Sequence, residues 1–401
     1  MTATLDPPRT TSARDPRAPF SLYGSDAPHR RRLGFDALLV GSAVSLALIG
    51  AVLVWAATRD VERAAGHDPN GFLYRHLINI AIATGLAFGA SRLNVRMLRL
   101  SGPVIYLLGL LGLFAVFAVG VTINGAHAWI RLGAGFEVQP SEFMKLGLII
   151  GIAVLFTQRA RDREDLPPTT ADVLLVLLAV GAPLAMIMLQ PDLGSAMVLG
   201  AAVFGVLIAA GVRARWTIGL IAVTVVVAIV VVKAGVLADY QLARFTSFAD
   251  PNADVQGAAY NVHQASIAIA NGGLFGTGLF HGPQTNGGFV PEQQTDFVFS
   301  VAGEEFGLLG GSIIIALFAV LCWRGLRIAR NADRAGSLIA VGIVCWFAFQ
   351  AFQNIGMNLG LMPVTGLPLP FVSYGGSSMF AQGLAIGVLE AIRRHSRVEL
   401  D

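Results

Sequence analysis

Asp296 stands in the stretch 285–307, TNGGFVPEQQTDFVFSVAGEEFG, where polar Gly- and Gln-rich residues give way to an apolar run. Phe289 and Val290 come before it, and Phe297, Val298 and Phe299 follow. A carboxylate half wrapped in apolar residues at a water–membrane boundary loses solvation and gains basicity, which suits it to proton transfer. Glu304 and Glu305 are deeper in the same run. At about 100° per residue they fall ~80° and ~180° from Asp296, so the three acids do not face one site. Asp296 also has a plainer reading as a helix N-cap, because Asp is among the best capping residues.

Four more groupings carry polar chemistry. In NGAHAWIRLGAGFEVQPSEFMK, residues 124–145, Ser141 is a natural N-cap after Pro140, and Glu142 and Lys145 at i, i+3 share the outer turn of a helix. Two readings stand for that pair: a local ion pair that makes both charges tolerable near lipid, or an ammonium with its own task. In Gln190-Pro191-Asp192-Leu193-Gly194-Ser195, Asp192 reads first as the cap of the helix that follows. Gln350, Asn354 and Asn358 recur at i, i+4, i+8, a polar stripe that must face a bundle interior or a wet cavity. In PVTGLPLPFVSYGGSS, residues 363–378, three prolines forbid a regular helix. Its Gly375-Gly376-Ser377-Ser378 end offers backbone N–H groups suited to an anion such as phosphate, or simply a turn and a cap.

The elements that must position these groups are membrane helices. The chain has 401 residues, 55% of them hydrophobic and only 13% charged, where a soluble domain would carry about a quarter charged. Mean hydropathy is +0.66. The expected fold is an all-α integral membrane protein with ten transmembrane helices, from apolar segments near 36–57, 76–93, 103–122, 142–157, 172–189, 193–211, 215–236, 297–322, 336–358 and 378–392. With the N-terminus inside, 21 of the 28 basic residues fall on inner connections, which places both termini in the cytoplasm. That rule accounts for the basic pI without nucleic acid. Residues 1–35 read as a disordered cytoplasmic tail, 36–392 as the membrane domain and 393–401 as a second tail. One external connection, 237–296, is far longer than ordinary loops. It holds a helix-like stretch at 260–270 and then NGGLFGTGLFHG, whose G-x-x-G-x-G spacing lacks the strand–turn–helix context of a nucleotide site. Those glycines are expected to let the backbone fold tightly against the membrane surface. Cys322 and Cys345 lie in apolar segments, which argues against a disulfide framework, and the seven histidines show no zinc spacing.

Taken together, N-G-A-x-x-W-I with Q-P-S-E-F-M-K, Q-P-D-L-G-S-A, P-E-x-x-T-D-F-x-F with G-E-E-x-G, and P-x-x-G-L-P-L-P-F-V-S-Y-G-G-S-S resemble the SEDS family (shape, elongation, division and sporulation). The motifs occur in family order and span nearly all of the chain past residue 30. The resemblance implies a peptidoglycan glycosyltransferase of the bacterial inner membrane, active on the outer side. It would polymerise lipid II with release of undecaprenyl diphosphate, beside a class B penicillin-binding protein in an elongation or division complex. P-L-P-F-V-S-Y-G-G is closer to the elongation type. Asp296 is implied as the catalytic acid residue. Arg75, Arg131 and Lys145 are the external cations available to diphosphate, with Trp129, Glu142, Gln190, Asp192, Glu292, Asn354, Ser373, Ser377 and Ser378 as further substrate contacts. No cofactor is expected beyond an optional divalent cation such as Mg or Mn. Two positions depart from the family pattern: Ala128 stands where many members carry Arg, and Gln294 where many carry His. Gln cannot titrate, so a His–Asp dyad is excluded. The rival expectations are a lipid II flippase and a scaffold that only holds a penicillin-binding protein.

Overall fold

The computed structural model describes residues 34–123, 125–133, 136–161, 167–233 and 258–396. Of the expected tails 1–35 and 393–401, residues 1–33 and 397–401 lie outside the described residues, as does the loop segment 234–257, while residues 393–395 continue the last helix. The helices are α1 (Ala37–Ala64), α2 (Gly71–Ser91), α3 (Val95–Val119), α4 (Pro140–Arg161), α5 (Thr170–Leu189), α6 (Leu193–Ala209) and α7 (Ala214–Lys233). After the long connection come α8 (Ala258–Gly272), the single turn α9 (Pro283–Asn286), α10 (Val298–Asn331), α11 (Arg334–Asn358) and α12 (Gly376–His395). Ten of the described helices sit at the ten predicted spans. Seven are long and apolar enough to cross a membrane; α6 and the apolar part of α7 are shorter. α12 was not among them because it carries Ser377, Ser378, Gln382 and Glu390, all buried against its neighbours.

The helix starts follow from local chemistry. Asp36 accepts from the N–H groups of Leu38 and Leu39, Thr169 and Asp172 form a capping box at α5, and Asp333 caps α11 through Gly336. At the start of α1 burial would raise the Asp36 carboxyl, but Arg324 beside it holds it below its ordinary value.

The all-α expectation needs one correction. Residues 121–138 form a small antiparallel sheet, β1 (Val121–Ile123), β2 (Ala126–Gly133) and β3 (Phe136–Val138), in the order β1-β2-β3. Trp129 pairs with Val121, and Arg131 with Glu137. The physical reason is local: Gly125 and Gly133, at φ 84° and 89°, turn the chain between short runs rich in β-branched and aromatic residues. Pairing the segment's own backbone groups satisfies them beside the membrane.

α10 is likewise not the continuous span the sequence suggests. Gly307 adopts φ 65°, ψ −160° and breaks it. The glycine-rich passage repairs the break: the N–H groups of Leu308 and Leu309 donate to Gly273 and Leu274, and those of Thr277 and Gly278 donate to Glu304 and Glu305. A Cβ at Gly276 would lie 2.0 Å from the Glu305 carbonyl oxygen, so only glycine permits the approach. These glycines therefore pack on a broken helix. Glu304, buried, accepts from the N–H groups of Gln284 and Thr285 and from the Thr285 hydroxyl, while Glu305 accepts from Phe280 N–H. Both acids dock the segment 280–285 of the long connection onto α10.

The part of α10 before the break, residues 298–305, is buried, whereas Leu308, Leu309 and Ile313 after it are exposed. α2 packs along α12 through small residues. Cβ atoms added at Gly383 and Gly387 would meet the carbonyl oxygens of Ala83 and Ala87 at 2.5 Å and 2.3 Å. One and two helical turns above Ala83 on that ridge stand Asn79 and Arg75.

Candidate active site

Asp296 precedes α10 rather than capping it. The cap position is Phe297, with no side-chain cap bond. A turn holds the acid in place: the N–H groups of Thr295, Asp296 and Phe297 all converge on the carbonyl of Glu292, whose own φ is +53°. Phe297 and Val290 are buried beneath this turn with Ala265, Met357 and Val364 in a small apolar cluster. The apolar residues flanking Asp296 thus anchor its loop, and the acid itself is half-buried.

The polar stripe of α11 fastens two loops to one helix. Asn354 Nδ2 donates to the carbonyls of Asp296 at 2.8 Å and Leu367 at 2.7 Å. Asn358 Nδ2 also donates to Asp296 O, at 3.1 Å, while its Oδ1 accepts from Ser300 N–H. One turn earlier, Gln350 Nε2 donates to Pro368 O at 2.8 Å. Tyr374 N–H then reaches Gln294 O, joining the 363–378 loop directly to the turn of Asp296.

These contacts frame a cavity of about 520 Å³ at the end of the bundle that carries the sheet and the long connection. Its walls bring together Asp296, Glu292 and Thr295 from the α10 turn, Arg75 and Asn79 from α2, and Trp129 from β2. Glu137 and Gln139, Asp192, and the segment Tyr374, Gly375, Gly376 and Ser378 complete it. Asp192 is both cap and wall: Oδ1 accepts from Ser195 N–H at 3.0 Å and Oδ2 from Gln139 Nε2 at 2.8 Å. Ser141 is not the cap of α4, which begins at Pro140; its hydroxyl turns to Ser195 and Asp192.

The other predicted contacts lie off the cavity wall. Lys145 is wholly buried, 2.7 Å from Glu142, with Gln350 Oε1 at 3.4 Å and the Trp346 ring beneath its ammonium. The ion-pair reading fits that geometry, and the two charges act beneath the site by supporting Gln350. Arg131 is exposed on the sheet and pairs with Glu137 at 3.1 Å. Gln190 is buried and donates to Leu113 O. Ser373 accepts from Leu369 N–H, and Ser377 ties α12 to the end of β3 through Glu137 O and Gln139 N–H. Asn354 positions Asp296 from behind. Ala128, the position of the expected arginine, is fully buried, so Arg75 is the cation on the wall. Sequence reasoning missed Asn79, Gln139, Thr295 and Tyr374. Asn79 had a detectable signal, an amide one helical turn from Arg75 in an apolar span.

Among the described residues no three His, Cys, Asp or Glu side chains converge to hold a metal ion.

Residues 36–398 match the family described as Cell cycle protein, FtsW/RodA/SpoVE. The chain is similar to stage V sporulation protein E of Bacillus subtilis, 36% identical over 90% of this chain and 98% of that one. It is also similar to the probable peptidoglycan glycosyltransferase FtsW of Coxiella burnetii, 36% identical over 88% of this chain and 95% of that one. Among solved structures, a chain of a peptidoglycan synthase complex that coordinates polymerization and crosslinking superposes with a TM-score of 0.75 at 32% identity, covering 90% and 98% of the two chains. Thermus thermophilus rod shape determining protein RodA gives 0.67 at 29% identity, covering 92% and 99%. With the match running over almost the whole membrane region and the motif residues gathered around one cavity, the chain belongs to the FtsW/RodA/SpoVE family, the SEDS proteins.

Proposed function

We propose that this chain is a peptidoglycan glycosyltransferase that polymerises lipid II at the outer face of the bacterial inner membrane. The observation that carries the reading is the meeting of Asp296 and Arg75 on the wall of one cavity, an acid and a cation brought from positions 221 residues apart. The names of its relatives, probable peptidoglycan glycosyltransferase FtsW among them, support the same chemistry. In the proposed step the 4-hydroxyl of an incoming N-acetylglucosamine attacks the anomeric carbon that ends the growing glycan, with inversion. The new C–O bond forms as the bond to the diphosphate breaks, and its electron pair leaves on the diphosphate oxygen. Asp296 takes the hydroxyl proton. Positioned base catalysis supplies roughly 10²–10⁴-fold, or about 3–6 kcal/mol of barrier.

The ten long helices are read as ten spans with both termini cytoplasmic, as the arginine distribution supports. A class B penicillin-binding protein is the proposed partner, supported by the likeness to a chain of a synthase complex. Between the two wall-building roles, relatives named FtsW and stage V sporulation protein E weigh toward division or sporulation. The P-L-P-F-V-S-Y-G-G form weighs toward elongation.

The test is purified protein with lipid II in detergent, alone and with the candidate transpeptidase, read as glycan length on a gel. The expected result is polymer from wild type and a loss of at least 10²-fold in rate for Asp296→Asn. Equal polymer from both removes Asp296 from the mechanism. No polymer under any partner condition favours a flippase or a scaffold.

A further inference from the structure

At the end of the bundle away from the cavity, the charged side chains fall into two classes. Some are paired: Asp36 with Arg324, and Glu390 with Arg393 at 3.0 Å. Glu390 also accepts from Asp36 N–H at 2.8 Å, and Arg393 donates to the carbonyl of Gly34. Phe35 is therefore gripped through the residues on both sides of it. Arg92 and Arg394 belong to the second class and make no ion pair among the described residues. Each lies instead over an aromatic ring: Arg92 at 4.5 Å from the centre of Phe88, Arg394 at 5.1 Å from that of Phe35. The two rings are neighbours, with centres 6.2 Å apart, and both are about half exposed.

The plain reasons for arginine at these positions explain only part of this. Arg92 caps the end of α2 and Arg394 lies in the last turn of α12, and a cation suits the C-terminal end of a helix dipole. The dipole does not call for two guanidiniums on one pair of exposed rings. A guanidinium that rests on a ring by its face keeps its N–H edge for an acceptor. Arg394 Nε is buried and has no hydrogen-bond partner, although buried donors are ordinarily satisfied.

The depth of the cluster says what the acceptor is. Arg75 on the cavity wall and Arg92 are 17 residues apart, about 25 Å along the α2 axis, most of the thickness of a bilayer's hydrocarbon core. Trp323 marks the same level as Phe35. It is half exposed with Arg327 over its ring at 4.9 Å, and its neighbour Arg324 holds Asp36. Half-exposed tryptophan belongs where headgroups meet water.

We propose that Arg92, Arg394, Phe35 and Phe88 form a binding site for the phosphodiester headgroup of an anionic phospholipid, on the membrane face opposite the cavity. The two guanidiniums take the phosphate oxygens edge-on, and the rings fix their planes beforehand, so little side-chain entropy is lost on binding. A zwitterionic lipid offers the same phosphate but carries its own cation, which two guanidiniums repel. The site stands apart from the cavity and does not depend on the reaction proposed there.

The experiment uses the full chain in detergent micelles with dioleoyl phosphatidylglycerol and dioleoyl phosphatidylcholine as probes. Bound lipid is counted by native mass spectrometry, and folding is followed by thermal melting. Wild type is expected to prefer phosphatidylglycerol. Arg92→Gln and Arg394→Gln are each expected to weaken that binding about fivefold, and the double variant about 25-fold, with phosphatidylcholine unaffected. Phe35→Leu with Phe88→Leu keeps both charges and removes the rings; it is also expected to weaken binding, and serves if an arginine variant does not fold. Arg213→Gln, at an exposed arginine between α6 and α7, is expected to bind like wild type. Wild-type affinity in the double arginine variant or in the ring variant overturns the site. An equal loss in Arg213→Gln overturns it in favour of diffuse charge attraction. Release of bound phosphatidylglycerol by an equal concentration of glycerol 1-phosphate overturns it in favour of a soluble phosphate site.

Discussion

Two sets of charged groups in this protein live under opposite conditions. Glu142 and Lys145 are sealed between α4 and α11, 1% and 0% exposed, with their partner three residues away. Arg75 and Asp296 face an open cavity, and their neighbours come from α2, the α10 turn, the sheet and the 363–378 loop. A charge sealed with its partner does structural work, because a buried ion is tolerable only when paired. A charge held at a cavity wall by backbone contacts from behind is available to a substrate. The difference fits a structural role for the first set and supports the proposed chemistry of the second.

The sharpest way to break that assignment is to unpair the sealed set. Lys145→Met leaves Glu142 buried and uncompensated, and is expected to cost roughly 3–5 kcal/mol of stability, seen as a large loss in thermal melting. Arg75→Gln is expected to stay within about 0.5 kcal/mol of wild type in the same measurement. Equal melting losses from the two would erase the contrast. Removing both partners, Glu142→Leu with Lys145→Met, is expected to recover most of the stability lost by the single variant, because replacing a buried pair by apolar residues is often neutral. A double variant as unstable as the single one would assign the lysine another role.

A smaller effect tests the rack between the two sets. Asn354→Ala leaves the carbonyls of Asp296 and Leu367 without its amide, at a cost of about 1–3 kcal/mol. The polymerisation rate is expected to fall further than the folded fraction does, since the turn that holds Asp296 loosens. A rate that merely tracks the folded fraction would make Asn354 structural only.

The legible part of this molecule is what repeats along the chain or pairs within a turn. Apolar runs located the helices, and the i, i+3 spacing announced the Glu142–Lys145 contact. The stripe Gln350, Asn354, Asn358 was visible as an inward face, but not that it would grip the carbonyls of Asp296, Leu367 and Pro368. Those partners are 10 or more residues distant and are set by packing alone. The break at Gly307 was hidden because its flanks are helix-forming and apolar, and its repair comes from residues 273–278. The sheet was hidden for the converse reason: its outer strands are three residues long, too short to show a period, and the eight-residue β2, AHAWIRLG, does not alternate strictly. Asn79 was passed over because an amide in a span has no meaning until the helix beside it is known.

The central claim is that Asp296 faces an outward cavity where the lipid-linked sugar reacts. Its most direct test is the labelling of Asp296→Cys, with Cys322 and Cys345 replaced by Ser, by an impermeant maleimide in right-side-out and inside-out vesicles. The account predicts labelling from the outside only, slowed when geranylgeranyl diphosphate fills the cavity. Labelling from the cytoplasmic side, or an outside rate indifferent to the diphosphate, would contradict it.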